Sequence, residues 1–214
     1  MKKSAAALLI LLLAAAAIGV YLATQYLTPS PAPAAGGKAE AYVGVMFTVT
    51  FTDGSVQTFD PNPQMSIAPL DILIGGKQVA SINVKVKVRF YPEKTVSNWQ
   101  VSISQRIEVY KKPDVVPKTS STGNFVNSGT TWANSEVKVV NQTPIEGSLL
   151  ENAVAQYGTG DWFFNVYVTA TLSATYTDGT TAQLQGSNYA GLDFTYTTSG
   201  AQGLSVITLE TPMT

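Results

Sequence analysis

Residues 82–90 read INVKVKVRF, a stretch in which every second side chain is apolar. Ile82, Val84, Val86, Val88 and Phe90 alternate with Asn, Lys and Arg. Because successive side chains of a β-strand point to opposite faces of a sheet, this period predicts a strand with one buried face. The segment therefore favours an all-β fold in which each sheet has one apolar and one polar side.

The same alternation recurs further along the chain. Residues 99–109, WQVSISQRIEV, have one interruption on the apolar face, at Gln105. The loop YPEKTVSN at 91–98 contains Pro and Asn, so we predict that 82–90 and 99–109 form a hairpin. Residues 162–176 keep one apolar face throughout, which predicts a strand long enough to bend, break or pass between sheets.

Shorter alternating runs complete the pattern, at 42–52, 55–59, 70–74, 78–80, 136–140, 192–197 and 204–210. About nine or ten strands are enough for two packed sheets. Ser148 and Glu151 form a capping box and Gly158 suits a C-cap, which predicts one short helix between them. We predict an immunoglobulin-like antiparallel β-sandwich over residues 41–214 with one short helix.

The segments TFTDGSVQTF (50–59) and TYTDGTTAQL (175–184) share an Asp-Gly pair between alternating residues. Asp followed by Gly is typical of a two-residue type I′ hairpin turn, which needs positive φ at both positions. We interpret both copies as turns rather than chemical sites. In such loops Phe51 would face Val56, and Tyr176 would face Thr181.

The N-terminus differs in kind from the rest of the chain. Residues 5–23 carry no charge after Lys2 and Lys3, and a bilayer core of about 30 Å needs roughly 20 helical residues. We predict a signal-anchor helix at 1–27, which contacts the lipid bilayer through 5–27 with its N-terminus cytoplasmic. We predict that residues 28–40 form a Pro-rich tether. A cleaved leader, which would make the protein secreted, and a buried soluble helix are the alternatives.

Lys3, Ser4 and Ala5 followed by a long apolar helix resemble the leaders cut by archaeal prepilin peptidases. A cysteine-free, Ser/Thr-rich β domain after such a leader is also similar to archaeal type IV pilins. This resemblance implies a filament subunit. The chain departs from the pilin pattern at Pro29, Pro31 and Pro33, which interrupt the helix that normally continues into the head domain.

Composition excludes several classes of chemistry. The 214 residues include no Cys and no His, which removes thiol nucleophiles, disulfides, imidazole bases and the usual zinc ligands. A net charge of −1 gives no basic excess for nucleic acid. We expect no enzymatic activity, no cofactor and no metal. A carboxylate-dependent hydrolase would need two of the acidic side chains to converge across strands.

Three kinds of surface are candidates for binding. Lys85, Lys87 and Arg89 share the polar face of one strand and could bind an anionic partner, although a solvated face is the simpler interpretation. Phe163 and Tyr167 lie opposite the apolar face of 162–176, and Trp132 in a polar stretch is expected to be exposed. Glycans or other surface proteins are the expected ligands, and Asn141 begins a glycosylation sequon.

These features predict a non-enzymatic, membrane-anchored protein whose C-terminal domain lies outside the cell. Its expected role is structural or adhesive, as a filament or envelope subunit that associates with itself or with other surface proteins. The alternative is an anchored or secreted binding module for carbohydrate or a surface partner.

Overall fold

The computed structural model describes residues 38–60, 67–70, 79–144, 148–197 and 200–214. The predicted anchor helix at 1–27 and the tether as far as residue 37 lie outside these ranges. Within them, no helix combines the length and the apolar character that a membrane span requires.

Eleven strands and one helix follow one another along the described chain. They are β1 (Glu40–Phe51), β2 (Val56–Phe59), β3 (Ile67–Leu70), β4 (Val79–Tyr91), β5 (Val96–Lys111), β6 (Thr119–Gly129), β7 (Val137–Pro144), α1 (Ser148–Tyr157), β8 (Gly160–Tyr176), β9 (Thr181–Thr197), β10 (Gly200–Thr208) and β11 (Glu210–Met213).

The strands form an antiparallel sandwich of two sheets. The first sheet has the order β6–β5–β8–β9–β10, with β3 beside β10. In the second, β4 lies between β1 and β7, and the far side of β1 pairs with β2 and β11. One bridge between Val79 and Ala201 connects β4 to β10. Backbone hydrogen bonds between Gln185 and Thr214, at 2.9 and 3.0 Å, tie the C-terminus to β9.

The core lies between the sheets and contains the predicted apolar faces. Ile82, Val84, Val86, Val88 and Phe90 are fully buried on β4, and Phe164 and Val166 are fully buried on β8. Each such side chain stabilises the fold by roughly 1.5–3 kcal/mol relative to exposure. The long strand β8 is continuous over 17 residues rather than broken.

The predicted hairpin between 82–90 and 99–109 is wrong. β4 pairs with β1 and β7, whereas β5 pairs with β6 and β8. The chain between Tyr91 and Val96 therefore crosses from one sheet to the other. Alternation indicates which face of a strand is buried, but not which strand lies beside it. Two strands joined in a hairpin and two strands joined across the sheets therefore have the same sequence pattern.

Both Asp-Gly segments are hairpin turns as predicted, but the type of turn differs. Phe51 N donates to Ser55 O while Gly54 N donates to Phe51 O, and Tyr176, Gly179 and Thr180 repeat this arrangement. Only the glycines have positive φ, +80° at Gly54 and +83° at Gly179. The loops are three residues long, so the predicted pairs shift: Thr50 faces Val56 and Thr175 faces Thr181.

The helix α1 is confirmed, and Gly158 follows it with φ of +80°. Strand β6 was not predicted, and neither was the first half of β9. The β6 segment TSSTGNFVNSG has little apolar alternation because its side chains are mostly exposed. Pairing with β5 along its whole length makes it a strand in spite of its composition.

Candidate functional site

An aromatic surface covers part of the outer side of the first sheet. The strand register places Tyr110 of β5 opposite Phe163 of β8, and Tyr167 of β8 opposite Tyr189 of β9. All four residues alternate with buried residues on their strands, so their side chains point away from the core. We refer to Tyr110, Phe163, Tyr167 and Tyr189 as the aromatic face.

The rings of the aromatic face contact one another in pairs. Tyr110 and Phe163 stack with ring centroids 4.5 Å apart and planes 1° from parallel. Tyr167 and Tyr189 lie 5.4 Å apart, and the Arg106 guanidinium lies 4.7 Å from the Tyr167 centroid. Tyr189 is 42% exposed, Phe163 and Tyr167 are half-buried, and Tyr110 is buried. The outer parts of three rings therefore remain available for contact.

Hydrogen bonds fix the phenol groups of this surface. Tyr110 donates to Glu108 Oε2 at 2.6 Å, and this bond, aided by burial and by the carboxylate charge, raises the pKa of Tyr110 to about 12. Tyr189 donates to Asn165 Oδ1 at 2.7 Å. Burial, with the charges of neighbouring groups, raises the pKa of Tyr189 as well. Both phenols are therefore neutral near pH 7, and neither can serve as an anionic nucleophile there.

A concavity of about 130 Å³ opens beside Phe163. Its lining consists of Phe163, Asn165, Tyr189, Gly191, Asp193 and Ile207. Gly191 lies opposite Asn165 and brings no side chain into the space. Asp193 forms an ion pair of 2.7 Å with Lys112 at the margin. An aromatic wall with amide and carboxylate groups beside it suits a ligand that has both an apolar face and hydroxyl groups.

Phe163 and Tyr167 thus lie on the outer side, as the alternation predicted. Tyr110 and Tyr189 complete the face but were missed. The predicted strand ended at 109, one residue before Tyr110, although continued alternation would have placed Tyr110 outward. Tyr189 lies in SNYAG, which has the composition of a loop; the alternation of Asn188, Ala190 and Leu192 was the signal that it is a strand.

The prediction that Trp132 is exposed is wrong, since only 4% of this residue is accessible. Its ring packs edge-on against Trp99, 4.8 Å away, and Phe90, 5.7 Å away. Its Nε1 donates to Glu136 O at 3.0 Å. The polar residues around Trp132 suggested a loop on the surface, but β5 and β4 supply an apolar pocket that is distant in sequence. Trp132 is a core residue and not a binding anchor.

Lys85, Lys87 and Arg89 do share the outer side of β4, but they do not form an open basic surface. Lys87 is 2% exposed and contacts Asp60 and Glu210. Arg89 binds Glu210 through two nitrogens, at 3.2 and 3.3 Å. The prediction of a solvated or anion-binding face is therefore wrong at Lys87, because carboxylates from β11 and from the end of β2 cover it.

Asn141 lies in β7, half-buried. Its Nδ2, the atom that would carry a glycan, donates to Gln105 Oε1 at 2.7 Å and to Thr143 Oγ1 at 3.1 Å. Gln105, the exception on the apolar face of β5, is buried and also accepts from Thr143. The sequon thus takes part in an internal hydrogen-bond network. Because a glycan replaces one of the two Nδ2 hydrogens, its attachment to the folded domain would have to break at least one of these bonds.

In comparisons with protein-family models, with curated proteins and with solved structures, no match to this chain is found, so a proposal for its function rests on the residues described above.

Proposed function

We propose that this chain is a non-enzymatic, membrane-anchored cell-surface protein with a structural or adhesive role. In this proposal, residues 5–27 lie in the lipid bilayer and an immunoglobulin-like sandwich faces outward as a filament or envelope subunit. The uncharged run after Lys2 and Lys3 supports the anchor. The lack of Cys and His supports a role without catalysis.

The observation that carries the role in assembly is the exposed edge at β6. This strand ends the order of the first sheet, and among the described strands it pairs only with β5. Natural edge strands are commonly protected by Lys, Pro or bulges, yet the 11 residues TSSTGNFVNSG contain no charge and no proline. Such an edge can accept a strand from a neighbouring molecule through backbone hydrogen bonds.

The test compares oligomers of the full chain in detergent micelles or native membranes. Val126 is 65% exposed at the middle of β6, so Val126→Lys should introduce a charge at the edge without disturbing the core. Chemical cross-linking should show oligomers for the unmodified chain and loss of them for Val126→Lys. The matched control is Ser173→Lys, which adds the same charge at an exposed position of the central strand β8. A chain that stays monomeric at high concentration would contradict the proposal.

Binding of a saccharide is the second candidate, and the concavity beside Phe163 favours it. A sugar ring could stack on Phe163 while its hydroxyl groups bond to Asn165 and Asp193. Glycan-array binding should be lost in Phe163→Ala and retained in Tyr157→Ala, a control aromatic that is 36% exposed at the end of α1. Equal binding by both variants would contradict this candidate.

A further inference from the structure

A charged cluster lies on the outer side of the second sheet, distinct from the aromatic face and from β6. It consists of Asp60, Lys87, Arg89 and Glu210, and we refer to it as the Lys87 cluster. Lys87 Nζ lies 2.6 Å from Glu210 Oε1 and also donates to Asp60 Oδ1. One amine is therefore in contact with two carboxyl groups from distant parts of the chain.

The two central members of this cluster are withdrawn from water. The side chain of Lys87 is 2% exposed and that of Glu210 is fully buried, whereas that of Asp60 is 53% exposed. Removing an ammonium or a carboxylate from water costs several kcal/mol per ion, so burial of both is unusual for a strand face. The cluster is thus more than a solvated ion pair.

Gly44 of β1 makes room for this arrangement. It lies between its pairing partners Lys87 and Glu210 in the sheet. A Cβ at position 44 would come within 2.8 Å of Glu210 Cγ and 3.0 Å of Lys87 Cε. A side chain at position 44 would have to displace the Glu210 and Lys87 side chains, so the glycine leaves space for the amine and the carboxylate to meet across β1.

A primary amine held against a carboxyl group brings together the two functional groups that amide formation joins. Fixed proximity can be equivalent to a reactant concentration of roughly 10⁵ M or more, far above any intermolecular value. A second carboxylate in contact with the amine can accept its proton and return it later. The Lys87 cluster supplies all three groups, and it needs no oxidant or cofactor.

We propose that Lys87 and Asp60 form an intramolecular amide bond, with Glu210 as the proton-transfer residue. Glu210 takes a proton from the Lys87 ammonium and gives it to a carboxylate oxygen of Asp60, and the neutral Nζ then attacks Cγ of that carboxyl group. A second proton passes from nitrogen to the same oxygen, the C–O bond breaks, and the oxygen leaves as one water molecule. Ammonium plus carboxylate gives amide plus water, so charge and atoms balance.

The exposure and the contacts of the two carboxyl groups indicate that Asp60 is the one that forms the amide and that Glu210 is the one that transfers protons. Asp60 is half-exposed, which gives the departing water a route to solvent. Arg89 holds both oxygens of Glu210, so this carboxylate is fixed in position beside Nζ. The amide removes one buried ammonium and leaves the Arg89–Glu210 pair. The bond would join positions 27 residues apart, a covalent tie in a chain that has no cysteine.

Peptide mapping of the purified full-length chain tests the bond. After proteolysis we expect a branched peptide that contains Asp60 and Lys87 and is lighter by one water than its two parts. Trypsin should fail to cleave after Lys87. Lys87→Arg and Asp60→Ala should lose this peptide, and Asp60→Ala should fold because the replaced side chain is half-exposed. Glu210→Gln should slow its formation about 100-fold or more after refolding.

Two internal controls make the result specific. The Lys112–Asp193 pair has a similar distance of 2.7 Å, but both side chains are 46% exposed, and its peptides should be unlinked. Asp53-Gly54 and Asp178-Gly179 can also lose water by cyclising, and the map separates that event from a branched peptide. Unlinked Lys87 peptides, water loss only at the Asp-Gly pairs, or a link to Glu210 instead of Asp60 would each overturn the proposal.

Discussion

Asp178 shows how one side chain can determine a local conformation without forming a chemical site. Its Oδ1 accepts hydrogen bonds from Thr180 N at 3.0 Å and from Thr180 Oγ1 at 2.6 Å. Asp53 makes the same contacts with Ser55, at 2.9 and 2.5 Å. The two Thr-Asp-Gly segments therefore form the same kind of turn, and the same side-chain hydrogen bonds stabilise both.

The ion pair at Asp178 predicts a pH dependence of stability. Lys94 lies 2.8 Å from Asp178, and its hydrogen bond, with those of Thr180, lowers the pKa of Asp178 below its ordinary value of 3.8. A carboxyl with a lowered folded-state pKa stabilises the fold above its unfolded pKa, and this contribution is lost as pH falls. Between about pH 5 and pH 2, Tm should therefore fall more steeply in the unmodified chain than in Asp178→Asn.

Lys94→Ala provides the check on that interpretation. Removing the lysine should reduce the same pH dependence, and the double variant should add little to either single change. Parallel curves of Tm against pH for the unmodified chain and Asp178→Asn would contradict the assignment.

The buried Trp132 side chain is expected to contribute strongly to stability. Because its ring fills a pocket between Trp99 and Phe90, Trp132→Ala should lower the free energy of unfolding by roughly 3–5 kcal/mol. Urea unfolding followed by circular dichroism measures the change. Tyr157→Ala, at a 36% exposed position, should stay within about 0.5 kcal/mol. A stable Trp132→Ala variant would show that the indole is not a core residue.

The alternation in β4, β5 and β8 identified these strands but not their neighbours. The apolar residues of these strands are buried as predicted, yet β4 and β5 belong to different sheets. Strand β6 escaped prediction because it is held mainly by backbone pairing with β5, and Phe125 is its one side chain that packs against the described core. Because β6 also has no charged residue and no proline, it is an edge without the usual protection.

Replacing the glycine of either hairpin loop should lower the free energy of unfolding by a similar amount. Gly54 and Gly179 have φ near +80°, and a Cβ at either position would meet no atom within 4 Å. The cost of Gly54→Ala or Gly179→Ala should therefore come from the backbone alone, about 1–2 kcal/mol of unfolding free energy. Denaturant unfolding of each variant measures it.

Gly129→Ala should destabilise the protein for a different reason from the substitutions at Gly54 and Gly179. Its added Cβ would lie 2.9 Å from the Trp99 ring, so its cost would come from a clash with the core. If the Gly54 and Gly179 variants were as stable as the unmodified protein, the three-residue loops would be wrong.

Processing of the N-terminus distinguishes the filament subunit of the proposed function from a tethered surface domain and from a secreted protein. If the resemblance to archaeal pilins holds, the mature chain from its native host should begin at Ala5, which intact mass and N-terminal sequencing can establish. An unprocessed N-terminus would indicate a tethered surface domain instead. A start between about Pro33 and Tyr42 would show a secreted protein and contradict the anchor.

The sequence alone predicts the all-β class, the buried faces of β4, β5 and β8, the short helix and the positions of the two turns. These properties depend on side chains that lie only a few residues apart in the chain. Local patterns such as alternation, capping residues and turn glycines therefore predict them. The outward positions of Phe163 and Tyr167 followed from the same rule.

Strand pairing and sheet packing determine which strands are neighbours, that Trp132 is buried and that Lys87 meets Asp60 and Glu210. They also bring Tyr110 and Tyr189 into one face with Phe163 and Tyr167. Each of these contacts joins residues that are distant in the chain. A polar residue has the same local pattern whether it faces water or a partner on another strand, so its environment depends on how the strands pair and how the sheets pack.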